Sequence, residues 1–224
     1  MTEVPEGIKV LIVLHPKNLQ DSALYAIDQF LIRGGRLIVA VDPMSRVDLE
    51  QSGRLAMMNG QMPTAASDLD KLFKAWGIEY NKGQLVGDPV LATQINAGGQ
   101  VLSYPLFMSI DKDRFSKDSV VTSGLNQMLI AESGAFSLKE GSSYKFDPLI
   151  STTRDSGTVD AMKAMMTQPL EVARELKTDG KERVIAGLLR GKFKSAFSAA
   201  PTPPAPAEGQ QKPAEPKFPY KAEA

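Results

Sequence analysis

Three side chains capable of acid–base or ligand-binding chemistry stand where predicted β-strands end. His15, the only histidine, follows the first apolar run, Asp42 follows the second, and Asp88 follows a later one. Ligands of open α/β sheets gather at the carboxyl ends of the strands, so these three residues are the predicted ligand-binding positions. An imidazole there is a candidate catalytic group, and two carboxylates could hold Mg²⁺ or a ribose hydroxyl.

A structural explanation competes with the chemical one at each position. Proline follows each of the three residues, and an aspartate before proline commonly ends a strand and caps the turn that follows. One histidine and no cysteine exclude a His-based zinc site and a thiol nucleophile. The Gly-x-Ser-x-Gly nucleophile elbow is also absent. We therefore predict no catalytic residue, no metal site and no cofactor.

Motifs and charge exclude nucleotide and nucleic-acid chemistry. Neither Gly-x-x-x-x-Gly-Lys-Ser/Thr nor a Gly-x-Gly-x-x-Gly after a strand occurs, so the chain is not expected to be an ATPase. The 26 basic and 26 acidic residues give zero net charge, which predicts no nucleic-acid surface. No apolar run approaches the roughly 20 residues that span a bilayer. Residues 1–5 lack the basic start and apolar core of a signal peptide.

A strand–helix–strand unit over residues 8–43 must position His15 and Asp42. Residues 9–14 form a near-continuous apolar run, typical of a parallel strand covered on both faces. Asn18 is the predicted helix N-cap, and Gly34-Gly35 can supply the left-handed stop. Residues 37–41 form a second buried strand. The unit predicts an adjacent parallel pair with helix 19–33 packed across it.

The remaining patterns complete the predicted fold. Ser67 is expected to cap a helix ending at Gly77, with four residues on its buried face: Leu69, Leu72, Phe73 and Trp76. Residues 78–138 contain short extended runs separated by turns, including a predicted hairpin at 96–99. The predicted class is α/β: an open, mostly parallel sheet with helices on both faces, flavodoxin- or amidotransferase-like in three layers, with a more β-rich middle region.

Two further predictions concern the second half of the chain. Its methionine stripe is expected to pack in the core rather than bind a soft metal, because methionine usually fills gaps: Met162, Met165 and Met166. After residue 198 the composition changes to mostly Pro, Ala, Glu, Gln and Lys. We predict an α/β domain over 1–198 and a disordered Pro/Ala-rich loop or tail over 199–224.

Three segments carry a resemblance to a known family. They read HPKNLQDSALYAIDQFLIRGGRLIVAVDP, LDKLFKAWGIEYNKGQLVGDP and RVIAGLLRGKFKSAF. Together they resemble the auxiliary component of gliding-motility-type ABC transporters over most of residues 4–198. The resemblance implies a membrane-anchored extracytoplasmic domain that accompanies an ABC permease and an ATPase.

The resemblance also implies a function and a location. The chain would be a non-enzymatic accessory domain that binds these subunits or an unknown small ligand at the periplasmic face of the inner membrane. It would be a soluble piece of a longer protein, incomplete at its C-terminal side, with its membrane anchors outside this piece. The alternative is an α/β hydrolase- or amidotransferase-like enzyme with an unrecognised site. The missing nucleophile motif and the single histidine favour the accessory domain.

Overall fold

A computed structural model describes residues 1–53, 56, 58–60, 65–201 and 219–224. The chain begins with β1 (Val10–Leu14), α1 (Asp21–Ile32) and β2 (Arg36–Ala40). β1 and β2 pair in parallel, with Ile12 opposite Ile38. Leu11, Val13, Leu37 and Val39 pack with Ile27 of α1 in one apolar cluster. The predicted parallel pair with a helix across it is confirmed.

The ends of α1 follow the predicted stop but not the predicted cap. Gly34 has φ +94° and its amide donates to the Leu31 carbonyl at 2.9 Å, which ends the helix as predicted. Asn18 is not the N-cap, because the helix starts at Asp21 and Gln20 occupies the cap position without a side-chain bond. Asn18 instead has φ +49° in the turn after β1, a conformation that asparagine tolerates better than most residues.

Short helices follow β2, and two of them can be given bounds within the described residues. α2 (Arg46–Asp48) starts at Ser45, whose hydroxyl accepts the Asp48 amide, and it continues as a π-helical turn over Leu49–Gly53. α3 (Asp70–Ala75) is followed by Gly77, with φ +66°. Ser67 does not cap α3. Its buried hydroxyl accepts the Asp42 amide at 2.8 Å and so joins this segment to the end of β2.

Among the described residues, ten further strands lie after α3, and every ladder between them is antiparallel. One sheet has the order β5 (Ala92–Ala97), β6 (Gln100–Asp111), β7 (Gln127–Ala131). A second has the order β3 (Ile78–Tyr80), β8 (Phe136–Leu138), β12 (Val184–Arg190), β9 (Lys145–Ser151). The third has the order β11 (Lys177–Thr178), β10 (Gly157–Asp160), β4 (Gln84–Gly87). Two helices lie between β10 and β11 in the chain: α4 (Ala161–Met166) and α5 (Pro169–Glu175).

The predicted open, mostly parallel three-layer sheet is therefore wrong. The fold is β-rich with antiparallel sheets, and β1–β2 is the parallel ladder of the described residues. For the β5–β6 pair, the physical reason is the length of the connection. Parallel strands need a crossover of a dozen or more residues, whereas β5 and β6 are joined by Gly98 and Gly99 alone. Such a connection permits only a hairpin.

The helix that follows Ser67 buries the predicted residues. Leu69, Leu72, Phe73 and Trp76 are between 0% and 5% exposed. The Trp76 ring meets Phe193 edge to face, with centroids 5.7 Å apart. This confirms the predicted core position of the single tryptophan, beneath the covered face of β1 and β2.

The opposite face of β1 and β2 is exposed. Val10, Ile12, Leu14 and Ile38 are 44%, 58%, 69% and 53% exposed, and Ile8 continues the row at 46%. We call these five residues the open face. The expectation that β1 is covered on both faces is wrong within the described residues, because α1 and α3 both pack on the other side.

The methionines and the chain end also differ from expectation. Met162 and Met166 are 54% and 74% exposed, so these two do not form a packed stripe. Residues 219–224 lie against the domain: the Ala222 carbonyl accepts the Ser195 amide at 2.7 Å. Residues 202–218 of the predicted tail lie outside the described residues, and the division at residue 198 stays a prediction. No described helix is long and apolar enough to cross a membrane.

Candidate functional site at the carboxyl ends of the parallel strands

His15 and Asp42 come together where β1 and β2 end. The His15 amide donates to the Ala40 carbonyl at 2.8 Å, which extends the ladder by one residue, and His15 then turns with φ +46°. A non-glycine residue with positive φ is uncommon and often marks a functional or strained position. Burial raises the pKa of the Asp42 carboxyl, while the Met44 amide and the nearby His15 oppose that shift.

Asp48 links the two loops that leave these strands. Its carboxylate Oδ2 lies 3.4 Å from His15 Nε2 and accepts Lys17 Nζ at 2.5 Å. Asp48 reaches this position because Ser45 starts the short helix α2 directly after β2. An imidazole and an ammonium therefore share one carboxylate oxygen, and the three side chains are each between 21% and 29% exposed.

An ion pair between a half-exposed arginine and a buried glutamate adjoins this cluster. Glu132 follows β7, is 1% exposed and has φ +51°. Arg46 donates two hydrogen bonds to it, one from Nε to Oε2 at 2.6 Å and one from Nη2 to Oε1. The Arg46 guanidinium also lies over the Phe107 ring, 5.9 Å from its centroid. Burial raises the pKa of Glu132 although Arg46 opposes the shift, and the bond to Glu132 raises the pKa of Arg46.

Tyr104, on the middle strand of its sheet, also contacts Glu132. Its hydroxyl donates to Glu132 Oε1 at 3.4 Å, and its side chain is fully buried. Burial, followed by the negative charge of Glu132, raises the pKa of Tyr104 to about 12. Glu132 is thus held by a cation and a neutral phenol at the edge of the apolar core.

Asp88 is not part of this arrangement. It is fully buried, and its carboxylate accepts the amides of Val90 at 2.9 Å and Thr153 at 2.7 Å. These are the contacts of a residue that ends β4 and fixes the next turn. The structure thus brings together two of the three predicted positions and places the third elsewhere.

Sequence reasoning missed four charged participants. The same strand-end rule that selected His15 applies to Glu132, which directly follows β7. Lys17 lies two residues after His15, so its position in the sequence indicated that it could be near the site. Arg46 and Asp48 had no local signal, because their partners are 86 and 33 residues away along the chain.

Two grooves among the described residues lie along β3, and no residue of the site lines either of them. The larger, of about 570 Å³, and the smaller, of about 280 Å³, share the edge strand β3 and its Tyr80. Burial, followed by the charges of Asp42 and Asp68, raises the pKa of Tyr80 well above its usual range. The Tyr80 hydroxyl has no hydrogen-bond partner among the described residues. No cluster of three or more potential metal ligands occurs in the part of the chain that the structure describes.

Comparisons with known proteins place the chain in a family. A family model described as an ABC-type uncharacterized transport system matches residues 1–218. An uncharacterized protein from Borreliella burgdorferi is 24% identical over 202 residues, which are 88% of this chain and 38% of that protein. The chain therefore spans well under half the length of this curated relative. No solved structure matches the chain. The chain belongs to the family of auxiliary components of ABC-type transport systems.

Proposed function

We propose that this chain is a non-enzymatic accessory domain that binds protein partners on the extracytoplasmic side of an ABC transport system. Its partners would be the permease and ATPase subunits, in a system of the gliding-motility type. The observation that carries the proposal is the family match over residues 1–218. An auxiliary component that lacks a phosphate-binding loop contributes to transport through contacts with the subunits that contain the pore and the motor.

The chemistry at the carboxyl ends of the parallel strands supports binding rather than turnover. A general base must lie within hydrogen-bond reach of the group that it deprotonates. His15 Nε2 faces the Asp48 carboxylate, which Lys17 also engages, and the other ring nitrogen, Nδ1, is buried, where a substrate cannot reach it without a rearrangement. The nearby Arg46 forms an ion pair with Glu132. These ion pairs hold the loops after β1 and β2 in fixed positions, which is what a recognition surface requires.

One observation favours an enzyme as the alternative. An imidazole beside a carboxylate is the base-and-orienting-group arrangement of many hydrolases, and His15 and Asp48 have that relationship at 3.4 Å. A small ligand could enter the 570 Å³ groove, whose lining includes Tyr80, Glu79 and Lys139. In this alternative, turnover would depend on His15 and Asp48, and ligand binding would depend on the separate set of residues that lines the groove.

Two measurements on the same preparation separate these functions. The purified chain is added to detergent-solubilised membranes that contain the permease and ATPase, and co-purification of both subunits is quantified. In parallel, the chain and its His15→Ala variant are assayed for hydrolysis of esters and amides. We expect the chain to co-purify with both the permease and the ATPase. We expect neither the wild-type chain nor the His15→Ala variant to hydrolyse esters or amides. Turnover that disappears in His15→Ala, without co-purification, would establish the enzyme instead.

A further inference from the structure

Residues 219–224 pair with the segment that follows β12, and we call these residues the strap. The strap forms an antiparallel bridge between its Glu223 and Lys194. Two hydrogen bonds flank this bridge: the Ser195 amide donates to a strap carbonyl at 2.7 Å, and a strap amide donates to the Phe193 carbonyl at 2.8 Å. The strap therefore covers one edge of this segment in the manner of a short β-strand.

One buried side chain of α1 also holds the strap. Gln29 is 1% exposed, and both polar atoms of its amide bond to the same strap residue. Gln29 Nε2 donates to the Lys221 carbonyl at 2.9 Å, and Gln29 Oε1 accepts the Lys221 amide at 2.8 Å. A side-chain amide thus supplies the donor and acceptor pair that a neighbouring strand would otherwise offer.

A second buried residue of α1 fixes the segment with which the strap pairs. Asp28 is fully buried, and its carboxylate accepts the Ser195 hydroxyl at 2.6 Å and the Ala196 amide at 2.9 Å. Gln29 Nε2 donates to the same carboxylate at 3.0 Å. None of these three bonds involves a strap residue. Asp28 therefore keeps the segment attached to α1 whether or not the strap is in place.

The strap buries little apolar surface. Tyr220 is partly buried and its hydroxyl donates to the Phe197 carbonyl at 2.7 Å, whereas the other strap residues are exposed. The central strand β6, by contrast, contributes four core side chains that are 0% or 1% exposed: Tyr104, Leu106, Met108 and Ile110. Segments with few buried apolar contacts and exposed backbone bonds open locally at a lower free energy than the core.

We propose that the strap opens and closes as one unit while the rest of the described fold stays folded. In the closed state it covers the edge of residues 193–195 and the amide of Gln29. In the open state the Ser195 amide and the Phe193 carbonyl lose their strap partners, while Asp28 still holds the segment on α1. A free strand edge is a template for pairing with another extended segment, so the strap controls when this edge is accessible. This opening is a property of the chain alone and does not depend on the transporter subunits.

Hydrogen exchange followed by NMR on the purified chain tests the local opening. The reporting amides are those of Ser195, Lys221 and Ala224, each of which donates a bond that the open state breaks. The amides of β6 report global unfolding, because β6 is the central strand of its sheet. The reporting amides should share one opening equilibrium and exchange at least about 100-fold faster than the amides of β6.

Two matched substitutions separate the strap from its docking segment. Tyr220→Phe removes the hydroxyl that bonds to the Phe197 carbonyl, so it should speed exchange of the reporting amides about fivefold and leave the β6 amides unchanged. Tyr144→Phe is the control, because the Tyr144 hydroxyl accepts the Lys194 amide at 3.1 Å on the edge that faces away from the strap. This control should leave the strap amides unchanged.

Three results would overturn the inference. Exchange of the reporting amides at the rate of the β6 amides would mean that the strap opens only when the whole chain unfolds. Exchange at the rate of an unfolded peptide would mean that the strap does not close in solution. Equal acceleration of the strap and β6 amides by Tyr220→Phe would place the strap in the cooperative core.

Discussion

Truncation of Trp76 tests the core beneath β1 and β2. The side chain is 2% exposed and meets Phe193 edge to face at 5.7 Å. Burial of roughly 150–250 Å² at about 25 cal/mol per Å² gives a transfer free energy of about 4–6 kcal/mol. Measured truncations of buried aromatic residues cost about 3–5 kcal/mol, so Trp76→Ala should lower the free energy of unfolding by that amount. Urea denaturation followed by circular dichroism measures this change.

A second substitution at the same position separates packing from hydrogen bonding. The Trp76 indole Nε1 is buried without a hydrogen-bond partner among the described residues. An unsatisfied buried donor costs about 1–3 kcal/mol, so Trp76→Phe loses area but also removes that cost. We expect Trp76→Phe to stay within about 1 kcal/mol of wild type. An unchanged midpoint for Trp76→Ala, or equal losses for both variants, would refute the assignment of Trp76 to a packed core.

Three more predictions concern the ion pair, alkaline pH and one close backbone contact. Arg46→Ala should lower the free energy of unfolding by about 2–3 kcal/mol at neutral pH, as measured by urea denaturation. This loss is smaller than for a fully buried pair because the Arg46 guanidinium is half exposed to water. Burial already raises the Glu132 pKa, so the variant should regain stability as pH falls toward about 4, and a pH-independent loss would contradict this. Burial raises the Tyr104 pKa from the usual 10 to about 12, so stability that is present below pH 10 should fall by roughly 2 kcal/mol as pH rises to 12. If the tyrosinate absorbance that Tyr104→Phe removes titrates near pH 10 in the folded wild type, this prediction is wrong. A Cβ on Gly157 would lie 2.2 Å from a backbone carbonyl of β11, so Gly157→Ala should lower Tm by several degrees, while Gly124→Ala, in open space, should not.

The first unit of the fold was predictable because its signals are local. Apolar runs at β1 and β2, a helical pattern between them and glycines after α1 all lie within about 35 residues, and a short crossover leaves one handed arrangement. The extension of this unit to a whole parallel sheet failed. β6 pairs with β5 through a two-residue turn, and β9 pairs with β12 across more than 30 residues, which no local pattern specifies.

The residues of the site that directly follow a strand were predictable from the sequence. His15 and Asp42 follow apolar runs, and the parallel ladder brings them together. Asp88 follows the same rule but ends an antiparallel strand, so the rule brings it to a different edge. The pairing of Arg46 with Glu132 depends on where β7 lies relative to β2. That position comes from packing between sheets and not from spacing along the chain.

The affinity of the purified chain for the detergent-solubilised permease–ATPase complex tests the central claim most directly. We expect saturable binding by the wild-type chain. Absence of binding by the wild-type chain would contradict the claim that it is a partner-binding accessory domain.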